Sequence, residues 1–217
     1  MASDSPAQTA RFSEEEQRGL YRAIFSRRDI RTFKTDPVPP DVLARIIRAA
    51  HHGPSVGFMQ PWDFIMVQNV EIREKVKDLF DRERQAASSF FDEPRRSHYL
   101  SLKLEGIMES PVNVCVTCDP TRAEVVLGHS IPETDLYSTC CAVQNLWLAA
   151  RAEGVGVAWV SILKQAQLRQ ILGVPHHVIP VAYLCLGYPV EFTTEPVLQA
   201  AGWRDRLDLE DLVHFDG

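Results

Sequence analysis

The 217-residue sequence predicts a single α+β domain spanning residues 1–217, and three observations carry that class. Helical stripes with apolar residues three and four apart alternate with short β-rich runs such as VNVCVTC (112–118) and IPVAYLCLGYP (179–189). No internal repeat or low-complexity linker divides the chain. A helical stretch at 136–153, containing CCAVQNLWLAA, is apolar nearly all round and runs into GVGVAWVSIL (154–163). Such a helix belongs at the centre of the fold or at a subunit interface.

In chain order, Ser13 and Glu16 have the spacing of a capping box and open a helix over 14–26, with Leu20, Ile24 and Phe25 on one face. It delivers the chain to RRDIRTF (27–33). If this segment is extended, Arg27, Asp29 and Arg31 project together, while Arg28 and Ile30 face the other way. Guanidiniums match phosphate oxygens in forked geometry, so the cluster suits a phosphate-bearing ligand with Asp29 aimed at its interior, although a solvated charged segment has the same signature. Pro39 and Pro40 open a second helix with the stripe Val42, Leu43, Ile46, Ile47 and Ala50, ended by Gly53 and Pro54. PSVGFMQPW (54–62) is apolar for a loop, suited to walling a planar ligand or to plugging core; a strand follows at 63–68.

An amphipathic, charged helix with Ile72, Val76, Leu79 and Phe80 inward is expected from 70 to about 91, and a second from 95 to 109. Residues 70–109 therefore read as a helical excursion or lid, or a solvated hairpin. Residues 119–135, with Gly128 and Pro132, read as loop, Asp135 as the cap of the apolar helix, and 167–172 as a short helix before the last strand.

Apolar and charged fractions of 45% and 24% are those of an ordinary globule. The net charge of −6 argues against a nucleic-acid or anionic-membrane surface. No stretch has the unbroken apolar length of a membrane span, and MASDSPAQTA lacks the features of a secretion leader, so a cytoplasmic location is expected. Five cysteines, an odd number, fit a reduced compartment. Cys115 and Cys118 form a CxxC, but positions three apart in a strand face opposite sides, so both read as buried small side chains, as do Cys140 and Cys141. The pairs His51, His52 and His176, His177 lack companion ligands, and no metal site is expected.

The order RRDIRTF, PSVGFMQPW, a long apolar helix running into EGVGVAWVS, LCLGYP and a terminal WRDRL resembles the nitroreductase-like flavoprotein superfamily over nearly the whole chain. That resemblance implies a mixed central sheet flanked by helices and an intertwined homodimer with two FMN sites at its interface. By the same resemblance, Arg27, Arg28 and Arg31 take the positions of the basic cluster that holds FMN. Arg204 and Arg206 match the late basic pair that reaches its phosphate, and Gly156 lies on the strand bordering the isoalloxazine ring. Usual members carry a small hydroxyl residue where this chain has Asp29, and Asn where it has Phe58.

Longer blocks, SVGFMQPW, SLKLEGI, DLYST and CAVQNLWLAARAEGVGVAWVSI, resemble one branch of that superfamily, the BluB family of 5,6-dimethylbenzimidazole synthases. The branch implies O2-dependent fragmentation of reduced FMN, as substrate, to 5,6-dimethylbenzimidazole and erythrose 4-phosphate, which supplies the lower ligand of vitamin B12 (cobalamin). Asp29 and Ser161 match its two polar positions associated with chemistry, and Ser55, Gly57 and Leu104 would line the cavity. Asp29 is a candidate general acid/base whose flanking arginines favour the carboxylate unless burial under the ligand compensates. Ser161 could orient a flavin nitrogen or a water. A lid over 70–109 would exclude solvent from an oxygen-reactive flavin. A separate flavin reductase would supply reduced FMN, unless NAD(P)H is used directly. An FMN-dependent NAD(P)H oxidoreductase acting on nitro or quinone compounds and a non-catalytic flavin-binding module are the alternatives.

Overall fold

The structure, a computed structural model, describes residues 11–123 and 131–216. Gly128 and residues 1–10, read above as lacking the features of a secretion leader, lie outside them. Four strands, β1 (Trp62–Met66), β2 (Val112–Cys118), β3 (Gly156–Val160) and β4 (Ile179–Gly187), form one sheet in the order β1-β2-β4-β3. Every pairing between these strands is antiparallel. The expected mixed character is confined to one isolated parallel bridge, Asp29 to Val157, on the outer edge of β3.

Among the described residues, seven α-helices accompany the sheet: α1 (Glu14–Ser26), α2 (Pro40–His51), α3 (Val70–Ser88), α4 (Arg95–Ser101), α5 (Thr134–Ala152), α6 (Gln165–Leu172) and α7 (Val197–Ala200). Strand residues alternate between two cores. Val114 and Val116 of β2 join Ile46, Ala50, Ala142, Val143 and Leu146 beneath α2 and α5, whereas Cys115 joins Val76, Leu79 and Phe80 of α3 on the other face. Cys118 lies toward Thr139 and Asp135 of α5, whereas Cys115 joins the α3 core, so the two do face opposite ways. Burial pushes their thiols up to about 12 and about 11, leaving little thiolate at neutral pH.

The expected elements form with specific corrections. The capping box of Ser13 and Glu16 is complete, but Leu20, Ile24 and Phe25 are exposed, and the one buried α1 residue is Ala23. α5 starts at Thr134 after Glu133, whose φ is 64°, so Asp135 lies inside the first turn and is not its cap. Cys140 and Cys141 are exposed, because α5 buries Ser138, Thr139, Ala142 and Val143 instead.

The helix expected over 95–109 stops at Ser101. Beyond it the backbone bonds outward: Asn113 Nδ2 donates to Ile107 O at 3.1 Å, and Arg73 donates to Ser110 O and Pro111 O, each at 3.1 Å. Those tertiary bonds replace helical ones, an exchange helix periodicity does not reveal. α3 is a core layer, with Val76, Leu79 and Phe80 fully buried. Arg84 ties α4 back to it by donating to the carbonyls of Leu100 and Leu102, each at 2.6 Å.

Candidate active site

Residues 27–33 leave α1 and run beside β3. Ile30 N donates to Val157 O at 2.9 Å, and the buried Ile30 side chain packs into the core behind the sheet edge. Asp29 is thereby turned outward. Its Oδ1 accepts from the Trp159 amide at 3.2 Å, and its Oδ2 pairs with Arg31 Nη2 at 2.7 Å. About a third of its side chain (34%) remains open, against 11% for Arg31.

Burial raises the Asp29 pKa above the ordinary carboxylate value; Arg31, the Trp159 amide and Arg27 oppose that rise without cancelling it. The compensation required of burial is therefore present in the chain's own fold. A carboxyl so held, fixed in two directions and open in a third, can exchange a proton with a group seated against it.

The arginines divide their work. Arg27 lies over the Trp147 ring at 4.9 Å. Arg28 points the other way and donates to Phe25 O (2.9 Å), Arg27 O (2.7 Å) and Thr194 O, stapling the C-terminal segment to this edge. Its two Nη groups hold backbone, while its buried Nε has no partner. The buried Nε of Arg31 has no partner, a donor left over beside Asp29.

Other expected site residues are distributed more widely. Gly156 is buried against Ile30. Ser161 is exposed just past β3, two residues and about 7 Å beyond Trp159. Leu104 is half-buried against the α3 core. Arg204 and Arg206 are exposed after Trp203, whose ring meets Phe91 at 5.4 Å and His98 at 5.7 Å, with the Arg95 guanidinium at 4.6 Å.

Ser55 and Gly57 sit at the opposite sheet edge, before β1. Gly57, Phe58 and Gln60 have φ of 54°, 55° and 50°, and Phe58 is 83% exposed while Met59 and Trp62 plug the core. Ser55 Oγ accepts from the Gln60 amide at 3.1 Å, and Ser138 Oγ from the Val56 amide at 3.0 Å. Trp147, nine residues along α5 from Ser138, donates to Arg28 O at 3.3 Å. At 1.5 Å per residue the two groups are about 14 Å apart, the same as three strand spacings across the sheet. Within one chain, Gly57 and Asp29 do not converge on a single reacting atom.

Sequence reasoning missed Trp147 and the Trp159 amide as supports of the arginine–aspartate pair, and Trp203 as an anchor. The one available signal was tryptophan beside arginine in WRDRL; the Trp159 amide has no side-chain signature.

The nitroreductase family model matches residues 24–188. The chain belongs to the nitroreductase family. Within that family it is 41% identical over 190 residues to the 5,6-dimethylbenzimidazole synthase of Rhodospirillum rubrum, covering 85% of this chain and 89% of the relative. The resemblance to that branch expected from the motif blocks is thus borne out. Among solved nitroreductase-like structures, a BluB-like flavoprotein from Clostridium difficile 630 superposes with a TM-score of 0.67 at 20% identity, covering 91% of this chain and 99% of the other. An iodotyrosine deiodinase bound to FMN and 3-iodo-L-tyrosine superposes with a TM-score of 0.71 at 19% identity, covering 91% and 99%. At these identities the two structures share the fold. Among the described residues no helix is long and apolar enough to cross a membrane, and no cluster of His, Cys, Asp and Glu has metal-site geometry.

Proposed function

We propose that the protein fragments reduced FMN with O2 to 5,6-dimethylbenzimidazole and erythrose 4-phosphate, supplying the lower ligand of cobalamin. The observation that carries this reading is the outward-facing Asp29, held by Arg31 and the Trp159 amide with its pKa raised, in a chain 41% identical to a 5,6-dimethylbenzimidazole synthase. A flavin that needed only to be held would gain little from a carboxylate at the position where related flavoproteins carry a small hydroxyl.

The residues present fit the ligand. Arg31 has a spare buried donor, and Arg27 on Trp147 presents a cation at the same edge. Arg204 and Arg206 supply further positive charge for the phosphate on a segment anchored through Trp203. The bound reduced flavin supplies the electrons that O2 takes up. Asp29 holds and moves a proton at the ribityl end, its raised pKa keeping that proton available nearer neutral pH. Ser161, exposed past β3, orients a flavin nitrogen or a water.

Residues 55–58, at the opposite sheet edge from Asp29 in the same chain, reach the flavin from a second copy, which makes the working unit a homodimer. The exposed Leu20, Ile24 and Phe25 of α1 give such a copy an apolar surface to cover. With α3 in the core, solvent exclusion falls to residues 89–109. A separate flavin reductase delivers the reduced FMN.

Mixing the purified protein with chemically reduced FMN in air and analysing products by mass spectrometry tests the reading. 5,6-dimethylbenzimidazole in proportion to FMN lost supports it; quantitative recovery of oxidised FMN overturns it.

A further inference from the structure

Three glycines lie where the inward side of residues 29–33 meets the sheet. A Cβ built on Gly156 would stand 2.8 Å from Ile30 Cβ, 2.8 Å from Cγ1 and 2.9 Å from Cγ2. One on Gly106 would stand 2.6 Å from the Phe33 ring, and one on Gly187 would meet the same ring at 3.0 Å and Pro111 Cδ at 2.6 Å. Gly156 and Gly187 are themselves paired across β3 and β4. Separations this short exclude a side chain unless the opposing group moves.

We propose that Gly106, Gly156 and Gly187 form a seat for Ile30 and Phe33, and that Gly156 is a positioning residue for Asp29. This rests on the reading of Asp29 given above. The missing Cβ at Gly156 lets Ile30 sink against β3, which brings the Ile30 amide to Val157 O and the Asp29 carboxylate to the Trp159 amide. Gly106 and Gly187 clamp Phe33 and so fix the far end of the segment, where Lys34 N donates to Tyr188 O at 2.8 Å and Val190 N to Thr32 O at 3.2 Å. The glycine on the strand expected to border the flavin ring is thus required by the protein's own packing. Any side chain there would lift the acid/base group off its amide anchor without touching the ligand.

The test pairs Gly156→Ala with Ile30→Gly, which removes all three colliding atoms. Gly156→Ala is expected to slow benzimidazole formation at least tenfold and to speed hydrogen exchange of the residue-30 amide at least tenfold, with the β2–β4 amides still protected. Adding Ile30→Gly is expected to restore residue-30 protection and to recover at least about fivefold of the lost rate.

Loss of rate with residue-30 protection intact, unrelieved by Ile30→Gly, would mean that the ligand is what requires the glycine, and would overturn the seat. So would a neutral Gly156→Ala. If Gly156→Ala does not fold, a folded and protected double variant supports the seat, and failure of both overturns it. Full activity of Asp29→Asn would instead remove the catalytic reading, while the exchange measurement still decides the seat.

Discussion

Residues 29–33 and residues 55–60 both carry groups expected to meet a flavin, and they are built in opposite ways. The first segment lies on three glycines, is bonded to Val157 and Tyr188, and buries Ile30 and Phe33 in the core. The second is a strained surface turn with three left-handed residues, two of them non-glycine, held by Ser55 and Ser138. The difference separates tasks. On the proposed function, proton transfer calls for a group fixed within a fraction of an ångström, which a core-anchored segment provides, and lining the flavin from a second copy would call for an exposed, pre-shaped loop.

The sharpest way to break this comparison is Asp29→Asn, which keeps the side-chain shape and one of the two acceptors, turns an NH2 toward the other donor, and cannot exchange the proton. Benzimidazole formation is expected to fall at least 100-fold while FMN affinity changes by less than about tenfold; retained turnover would make the rigid segment a binding clamp only. Ser161→Ala, which removes the hydroxyl proposed to orient a flavin nitrogen or a water, is expected to lower the rate about tenfold, measured in single turnover with reduced FMN.

Trp203→Ala is expected to weaken FMN binding about threefold to tenfold and to speed amide exchange in residues 89–101, since the ring clamps the Arg204 segment against α4. Unchanged exchange there would separate the tail from the cover.

The smallest effect concerns stability. A raised folded-state pKa means that ionised Asp29 costs stability above that pKa, and the cost disappears as pH falls below the unfolded value. Asp29→Asn is therefore expected to melt slightly above the native chain at pH 7 to 8, with the gap closing as pH is lowered. A gap that widened instead would reverse the inferred direction of the Asp29 shift.

Much of the rigid segment was legible. RRDIRTF marks itself by charge, period two placed Ile30 opposite Asp29, and the helix and strand runs fixed the frame. What the sequence hid is tertiary. Nothing in Gly156 or Gly106 announces that Ile30 and Phe33 rest on them, and the donors that unwind residues 102–111 come from Arg73 and Asn113. The exposure of Cys140 and Cys141 also escaped notice, because a helix apolar all round does not reveal which face meets the sheet. At the other edge PSVGFMQPW was recognisable as more than a connector. Its distance from Asp29 became visible only once α5 was in place to measure it.

The most direct measurement of the account is a hybrid assay. Asp29→Asn and Gly57→Val chains, each inactive alone by expectation because one lacks the carboxyl and the other cannot keep φ near 54°, are co-expressed with different tags and the doubly tagged species is purified. If Asp29 of one copy works with residues 55–58 of the other, one of the two sites is intact, and reduced FMN in air should yield benzimidazole at about half the native rate. A hybrid no more active than its parents would contradict the shared site.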